Sequence, residues 1–362
     1  MNFDYNEQQQ LLADSVRRYL AKSYDFEARK KIVSGDGWST QAWAHFAEMG
    51  LTGLPFSADH GGFGGGAVDL MGVLEAFGEA LVVEPYLPLV VAARALERGA
   101  SEALKEKVAP GVIEGRARLA LAHAEQGSRY ALDAVRASAS RKGSGWTIEG
   151  EKAGVIGAPV AQHLVVSAKT QGAVQLFLVE TARAELKPHR TIDERLAADV
   201  VLRGAPAEPL EGGVKLLEEV VDLGTALVCA EAVGAMKFTC DTTLEYLKTR
   251  KQFGVLIGTF QALKHRAANV YTETELSRSA VMAACFAIDE ESPKAPELVS
   301  LAKARLSDAF LLAANEAIQM HGGIGMTDEH DIGFFLKRAR VAEMTFGDAA
   351  WHRRRYAELQ GY

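Results

Sequence analysis

A short stretch around Arg250 carries residue types that bind a dinucleotide without a phosphate-binding glycine loop. The Arg250 guanidinium offers a fork of donors that suits a pyrophosphate. Gln252 and Gln261 add neutral donors, and the Phe253 ring is able to cover a flat ring. The same residue types also fit a solvated helix end followed by a loop, because charged helix ends are common.

Apolar spacing around this stretch predicts two helices joined by a turn. A helical pattern runs up to Arg250, Gly254 interrupts it, and a second helical pattern opens at Gln261. We therefore expect Arg250 at the end of a helix, beside a turn.

The composition of the 362 residues argues against several kinds of partner. Lysine and arginine total 40 and aspartate and glutamate total 47, and the resulting net charge of −7 disfavours nucleic acid or an anionic membrane as the main partner. Cys229, Cys240 and Cys285 lie in alanine-rich stretches without C-x-x-C spacing or clustered histidines, so no metal site is predicted. They are typical of small core residues in a reducing compartment.

The N-terminal stretch MNFDYNEQQQLL has acidic and amide residues where a signal peptide has basic and then apolar ones. No apolar run approaches the length that crosses a membrane. We therefore expect a cytoplasmic protein.

Changes in hydrophobic periodicity predict an α+β chain of three domains. Residues 1–115 have the pattern of an N-terminal helical domain, with Asn6 and Ser39 as helix caps. Residues 116–210 contain short runs rich in Val, Ile and Leu, which predict a middle β-barrel or sandwich domain. Residues 211–362 have the pattern of a C-terminal four-helix bundle.

Individual elements follow from the same patterns. The glycine-rich segment Asp59–Leu70 lacks the Lys-Ser or Lys-Thr of a phosphate loop, so we expect a loop that joins helices. The expected strands are Leu119–Ala122, Ala134–Ser140, Trp146–Glu149, His163–Ser167 and Val174–Val179, with a turn at Gly143–Gly145. The expected C-terminal helices are Val214–Thr249, Phe260–Asp289, Pro296–Met320 and Thr327–Glu358.

Two motifs resemble the paired signature of the acyl-CoA dehydrogenase family. They are R-x-Q-F-G-x-x-I-G-x-F-Q from Arg250 to Gln261 and Q-x-x-G-G-x-G from Gln319 to Gly325. The resemblance extends over nearly the whole chain, and it implies FAD as cofactor and an acyl-CoA thioester as substrate. It also implies that the first segment contacts the FAD pyrophosphate and adenosine, and that the second reaches the adenine end from a neighbouring subunit. The residues that would take these roles are Arg250, Gln252, Phe253, Gln261, Gln319, Gly322 and Gly323.

The family reaction implies a carboxylate base, because an α-proton leaves the acyl-CoA while FAD takes a hydride from the β-carbon. In the common pattern the base is the Glu of a Y-E-G-T stretch, and aligning the glycines places Phe346 at that position. A minority of the family keeps its Glu on the first long helix of the bundle, at a place that aligns with Gly224. Neither residue accepts a proton, so the catalytic base is unassigned.

Three carboxylates near these positions each have another explanation. Asp348 is an expected N-cap for a helix that begins at Ala349, and Glu343 fits a surface residue. Glu231 interrupts an apolar run on roughly the same helix face as Gly224. A buried partner for an arginine is favoured over a displaced base at Glu231, because an unpaired carboxylate in an apolar run is costly.

The segments that would face the flavin ring depart from the family pattern. The family carries T-E-P-x-x-G-S-D followed by G-x-K-x-W-I, whereas this chain has AEQGSR at Ala124–Arg129 and GEKAGV at Gly150–Val155. The ring-side Trp is therefore missing, and Arg129 stands near the lost Ser-Asp.

These matches give three hypotheses. The first is the small, base-lacking subunit of a heteromeric acyl-CoA dehydrogenase, as the details resemble the subunits that act on pimeloyl-CoA or in steroid side-chain degradation. The resemblance then implies an α2β2 hetero-tetramer with a large, base-bearing subunit, and electron-transfer flavoprotein as acceptor. The second is a self-sufficient homomeric enzyme with Glu231 or Asp348 as displaced base. The third is a flavin-binding relative that binds nucleic acid, which the negative charge disfavours.

Overall fold

The computed structural model describes residues 4–143 and 145–362, in which helices are followed by strands and again by helices. This order confirms the predicted α+β class. The helices are α1 (Glu7–Ser23), α2 (Phe26–Ser34), α3 (Thr40–Glu48), α4 (Ala67–Glu79), α5 (Tyr86–Gly99), α6 (Glu102–Ile113), α7 (Gly213–Thr249), α8 (Gln261–Asp289), α9 (Ala295–His321), α10 (Ile332–Met344) and α11 (Ala349–Leu359). The strands are β1 (Leu119–Ala122), β2 (Ser138–Lys142), β3 (Gly145–Ile156), β4 (His163–Thr170), β5 (Ala173–Glu180), β6 (Glu185–Arg190), β7 (Leu196–Leu210), β8 (Lys251–Gln252) and β9 (Val255–Leu256).

Side-chain caps explain where two of the first helices begin. The Gln9 backbone N–H donates to the Asn6 side chain at 2.9 Å, and the Asn6 N–H donates to the Gln9 side chain at 3.0 Å. This reciprocal pair is the predicted capping box of α1. Ser39 caps α3 by accepting from the Ala42 N–H at 3.1 Å. The predicted glycine-rich loop is confirmed up to Gly66, after which α4 begins.

Strands β1 to β7 form one sheet that closes on itself. Neighbouring strands follow the path β4–β2–β3–β7–β5 and return to β4, with β1 beside β4 and β6 beside β7. The long β3–β7 pair changes register after Ile148 and after Lys152. Such irregularities bend a strand, and bent strands allow a small sheet to close. The prediction of a barrel or a sandwich is therefore confirmed, and the closed sheet corresponds to the barrel.

Two strands of this sheet were not predicted. β6 is exposed at five of its six positions and so has no apolar face, and β7 contains Pro206 and Pro209, which usually mark the end of a strand. The predicted turn at Gly143–Gly145 includes Ser144, which lies outside the described residues. Residues 1–3 also lie outside them. The flanking strands β2 and β3 pair antiparallel.

The C-terminal helices match the prediction with one correction. α7, α8 and α9 begin and end within one residue of the expected bounds, but the fourth helix, expected over Thr327–Glu358, is divided into α10 and α11. The chain between them takes φ values of 60° at Phe346 and 122° at Gly347, which no α-helix contains. A continuous helix is therefore wrong at this point.

Backbone contacts group the chain into two compact units. One contains Met1–Lys30, Ala67–Val82 and Thr225–Tyr362, and the other contains Lys31–Gly66 and Val83–Gly224. The domain bounds 1–115, 116–210 and 211–362 stay a prediction.

Within the first unit, α4 and α7 cross with their backbones in contact. A Cβ on Gly78 would lie 1.8 Å from the Glu231 carbonyl oxygen, and a Cβ on Gly234 would lie 1.9 Å from the Glu75 carbonyl oxygen. Only glycine fits at either position, because a larger residue would overlap the facing carbonyl. The crossing carries the side chains of Glu75 and Glu231 into the protein interior, where both are buried.

Candidate functional site

A two-stranded hairpin begins at Arg250, immediately after α7. β8 pairs antiparallel with β9, and the Ile257 N–H donates to the Arg250 carbonyl at 2.9 Å. Phe253 and Gly254 form its tip with φ values of 55° and 80°. Left-handed torsions at both central residues match the twist of a two-residue hairpin. Phe253 adopts this conformation at a cost of roughly 1–2 kcal/mol, and the residue is 91% exposed.

An apolar cluster fixes the hairpin to the helices. Leu247, Ile257, Ala267 and Met320 are buried together. A Cβ on Gly258 would lie 2.7 Å from the Leu247 carbonyl oxygen, so the chain needs glycine where it turns from the hairpin into α8. Because Met320 belongs to α9, the cluster holds the hairpin against the end of that helix.

The polar side chains of the hairpin segment are open to solvent. Arg250, Gln252 and Gln261 are all exposed. The Gln252 amide donates to the neighbouring Lys251 carbonyl at 2.8 Å, whereas the side chains of Arg250 and Gln261 have no hydrogen-bond partner among the described residues. The donors of Arg250 are therefore available to an anion.

A glycine turn follows α9 and leaves its backbone accessible. Gln319 is exposed on the last turn of the helix, and Gly322 has φ 66° and ψ −144°, a conformation that favours glycine. A Cβ on Gly322 or Gly323 would meet nothing within 4 Å. Packing within this chain therefore does not require glycine at Gly323, and the space beside both residues is open to a ligand.

Two rings join the hairpin to the glycine turn. The Tyr246 and His321 rings stack with centroids 4.3 Å apart, and Tyr246 Oη donates to the His321 carbonyl at 3.3 Å. Tyr246 lies one helical turn before Arg250, whose N–H donates to the Tyr246 carbonyl, and His321 directly precedes Gly322. The structure therefore brings together the Arg250 and Gln319 segments, which are far apart in sequence.

Both positions that align with the family base hold groups without a proton acceptor. Phe346 is half-buried in the segment between α10 and α11, and Gly224 is buried on α7. Neither side chain takes a proton at any pH.

The segment around Phe346 is held from inside by two side chains. Lys303 Nζ is fully buried and donates to the carbonyls of Glu343, at 2.8 Å, and Gly347. Burial lowers the pKa of Lys303 to about 8. Burial and the nearby Lys303 charge lower the pKa of His352 to about 3, so its ring is neutral and its Nε2–H donates to the Phe346 carbonyl at 3.1 Å.

Glu231 forms a buried ion pair. Its carboxylate pairs with Arg338, and both side chains are buried. Arg338 also donates to the carbonyls of Leu81 and Val82 at 3.3 and 3.0 Å. The expected arginine partner is confirmed. This pairing argues against Glu231 as a displaced base, because a base must be free to receive a proton from the substrate.

The other two carboxylates are also engaged. Asp348 accepts a hydrogen bond from the Trp351 N–H at 2.8 Å and is the N-cap of α11, as expected. This contact argues against Asp348 as a displaced base. Glu343 pairs with Arg340 at 3.1 Å, with three quarters of the Glu343 side chain covered.

The segments expected near a flavin ring contain a buried ion pair that sequence reasoning missed. Lys152 Nζ is fully buried and donates to Glu125 at 2.8 Å and to the Ser167 hydroxyl at 3.0 Å. Burial raises the pKa of Glu125, but hydrogen bonds from Lys152 and from the N–H groups of Ala137 and Arg136 outweigh it, and the pKa is lowered. The pair stabilises the AEQGSR segment against the sheet.

Metal and membrane features were searched in residues 4–143 and 145–362. No group of three or more His, Cys, Asp or Glu side chains there is arranged to hold a metal ion. No helix in this part of the chain combines the length and the apolar character needed to cross a membrane. The cysteines Cys229, Cys240 and Cys285 are buried and free.

Comparison with known proteins decides the family. The family model described as Acyl-CoA dehydrogenase, N-terminal domain matches residues 6–116, and that described as Acyl-CoA dehydrogenase, C-terminal domain matches residues 211–359. The chain is 32% identical over 341 residues to the acyl-CoA dehydrogenase IpdE2 of Mycobacterium tuberculosis, which covers 92% of this chain and 91% of that protein. The chain belongs to the acyl-CoA dehydrogenase family. The resemblance seen in the two motifs is thereby confirmed at the level of the family.

Other family members align over their whole length. The probable acyl-CoA dehydrogenase YngJ of Bacillus subtilis is 28% identical over 367 residues, with 96% of each chain covered. A solved structure of the steroid ACAD Tcur3481-Tcur3483, as its G363A variant, is 27% identical with a TM-score of 0.92 and covers 98% of each chain. The ChsE4-ChsE5 complex of Mycobacterium tuberculosis is 25% identical with a TM-score of 0.93 and covers 100% of this chain and 99% of that chain.

Members of this family are FAD-dependent oxidoreductases. The exposed side chains of the Arg250 and Gln319 segments fit part of that cofactor. The Arg250 fork suits a pyrophosphate, the amides of Gln252 and Gln261 suit ribose and adenine edges, and the open backbone at Gly322 admits a flat ring. The donor set therefore fits the adenosine and pyrophosphate end of FAD.

Sequence reasoning missed Lys303 and His321. Lys303 interrupts the buried apolar positions of α9 at helical spacing, and this signal was available because a charge on an apolar stripe needs partners. His321 lies inside the second motif, but its stacking partner Tyr246 is distant in sequence, so no local signal could have identified the contact.

Proposed function

We propose that this chain is the small, base-lacking subunit of a heteromeric FAD-dependent acyl-CoA dehydrogenase. The observation that carries the proposal is the pair of base positions held by Phe346 and Gly224, with the nearby carboxylates of Glu231 and Asp348 engaged elsewhere. A partner subunit would supply the base.

The contribution of this chain is to bind the adenine end of FAD. Arg250 would bind the pyrophosphate through its fork, and Gln252, Gln261 and Gln319 would orient the adenosine. Phe253 would cover a ring, and Gly322 and Gly323 would let the backbone approach. The contact between the two segments through Tyr246 and His321 supports a single shared cofactor end. When bound, FAD accepts the hydride from the β-carbon of the acyl-CoA.

The missing ring-side Trp also supports a cofactor that is bound by two different subunits. The AEQGSR segment is held by the Lys152–Glu125 pair, and its residues are not those with which the family contacts the ring. We therefore propose that the isoalloxazine ring lies mainly against the partner, in an α2β2 hetero-tetramer that passes electrons to electron-transfer flavoprotein.

The substrate class is proposed from the relatives. The steroid ACAD that resembles this chain is named for steroid substrates, and the ChsE4-ChsE5 structure is a complex of two named chains. We propose a bulky acyl-CoA, such as a steroid side-chain or dicarboxylyl thioester. We also propose that the protein works in the cytoplasm.

The test is reduction of an artificial electron acceptor with a panel of acyl-CoA thioesters. The isolated chain should turn over poorly, because a missing positioned base lowers the rate by about 10² to 10⁴-fold. Addition of a base-bearing acyl-CoA dehydrogenase encoded beside it should restore turnover. Phe346→Glu alone should not restore it, because the ring-side contacts would still be missing.

One result would replace this proposal with the homomeric alternative. If the isolated chain reacts at the rate of ordinary acyl-CoA dehydrogenases, and Glu231→Gln abolishes that activity while Glu343→Gln does not, then the chain has its own base.

A further inference from the structure

His321 lies between the two segments of the candidate FAD site and is only 3% exposed. Its Nδ1 is 2.7 Å from the Ala317 carbonyl, which only accepts, so Nδ1 carries the proton and donates. Its Nε2 is buried and has no hydrogen-bond partner among the described residues. The ring is therefore neutral, with an acceptor atom enclosed in the protein.

In the part of the chain that the structure describes, no group around this ring accepts a hydrogen bond from Nε2. Tyr246 stacks on it from α7, and the His330 ring faces it from the segment before α10 with centroids 4.5 Å apart. The Ile332 N–H donates to His330 Nδ1 at 3.2 Å, so the proton of neutral His330 is on Nε2. Burial lowers the pKa of His321 below its ordinary 6.5; the bond to Ala317 opposes this shift, and the neighbouring His330 adds to it.

We propose that His321 is a positioning residue whose neutral ring fastens the glycine turn to the Arg250 hairpin, and that a proton added at Nε2 releases the two segments from each other. The fastening contacts are the ring stack with Tyr246 and the Tyr246 Oη bond to the His321 carbonyl. The release of the segments depends on this chain alone, whereas its effect on FAD rests on the proposed function.

The segments should separate because a second proton on the His321 ring would have no hydrogen-bond acceptor among the described residues. An imidazolium in this place has a buried N–H with no acceptor, and such a group destabilises the arrangement that encloses it. Because His321 is only 3% exposed, the ring must move for an Nε2–H to reach water, and this movement would disturb its stack with Tyr246. Because Tyr246 and His321 directly support the two segments, both segments should loosen together.

Hydrogen–deuterium exchange of the full chain, corrected for intrinsic rates, tests the coupling at about pH 7.5 and about pH 5.5. Residues 251–257 and 319–326 should lose protection together by roughly tenfold at the lower pH, the size expected for one unpaired buried donor. Amides of α1 serve as an internal control and should not change with them.

Three variants identify the titrating group. His321→Phe keeps a ring for the stack and cannot take a proton, so protection should stay nearly constant between the two pH values. His321→Ala should give low protection at both. His330→Gln, the matched control, should retain the pH step. The proposal is overturned if His321→Phe keeps the step, if His330→Gln removes it, or if the two segments lose protection at different pH values.

Nuclear magnetic resonance of histidine labelled with ¹⁵N gives an independent measurement on the unmodified chain. His321 should show the Nδ1–H form at neutral pH and should titrate together with the loss of protection. An Nε2–H form would overturn the proposal even if a variant fails to fold.

Dialysis of FAD from the complex with the partner subunit separates this inference from the proposed function. The parent complex should lose FAD at the lower pH, and the His321→Phe complex should keep it. If the parent holds no FAD at neutral pH, the proposed function fails, while the exchange experiment still decides the role of His321.

Discussion

At the scale of single residues, Arg250 and Arg338 show how burial and available partners determine whether an arginine stabilises the fold or is free to bind a ligand. Arg338 is buried, and its two terminal nitrogens donate to Glu231 and to backbone carbonyls, so it stabilises the fold. Arg250 is exposed at the end of α7, and its guanidinium has no partner among the described residues. A free fork at a helix end is suited to a ligand phosphate.

Replacement of Arg250 by Ala should weaken FAD retention by roughly ten- to a hundredfold, because a charge-assisted hydrogen bond contributes about 1.5–3 kcal/mol. Flavin absorbance per chain, with the partner subunit present, is the measurement. Lys248→Ala, which removes a neighbouring exposed cation, should retain the parent occupancy. Equal occupancy in Arg250→Ala and parent would remove Arg250 from the site.

Lys303 should make stability depend on pH above neutrality. Its pKa falls from 10.5 to about 8 in the folded chain, so the unfolded chain binds more protons between these values. The free energy of unfolding therefore rises as the pH increases from about 8 to 10.5, and Lys303 contributes about 3 kcal/mol to this rise. This increment is lost again as the pH falls back to about 8.

Urea unfolding at several pH values would measure this rise. Lys303→Met should lack the increment, whereas Lys294→Met, at an exposed lysine just before α9, should retain it. Identical pH profiles for parent and Lys303→Met would show that Lys303 does not change its protonation on folding.

At the scale of elements, local signals predicted what local contacts determine. The capping box at Asn6 and the N-cap at Asp348 are formed by residues three positions apart, and both were readable from the sequence. The break between α10 and α11 was not predicted, because the Lys303 contacts that hold it come from α9, which is distant in sequence.

The candidate site follows the same rule. The first motif, Arg250–Gln261, is contiguous in sequence and contains the turn at Gly254, and its residue types suggested a phosphate ligand. That the hairpin and the glycine turn lie together depends on Tyr246 meeting His321, a tertiary contact with no sequence signal.

At the scale of the whole molecule, exposed apolar side chains on the C-terminal helices predict association with another chain. Tyr271 and Leu276 on α8 are 56% and 49% exposed, and Leu301 and Leu312 on α9 are each 39% exposed. Water contact with such groups is unfavourable, and an interface of at least about 1,000 Å² would cover them.

Light scattering should therefore give a mass well above the 39.0 kDa of one chain, and a larger mass when the partner subunit is added. Leu276→Lys should weaken this association, while Leu359→Lys, near the C-terminus, should not. A stable monomer that holds one FAD per chain would contradict both the assembly and the division of the cofactor between subunits.

In a saturation-mutagenesis screen for flavin binding, substitutions at the crossing of α4 and α7 would lose flavin in the same way as substitutions in the cofactor site. Gly78 and Gly234 each face a carbonyl oxygen, so even alanine would push the helices apart, although glycine-to-alanine changes in helices usually stabilise by about 0.5–1 kcal/mol. A screen for yellow colonies would score both glycines as sharply as Arg250, because a chain that does not fold holds no flavin. Soluble yield scored beside flavin colour would separate the two classes: Arg250 variants would be soluble and pale, and Gly78 or Gly234 variants would be absent from the soluble fraction.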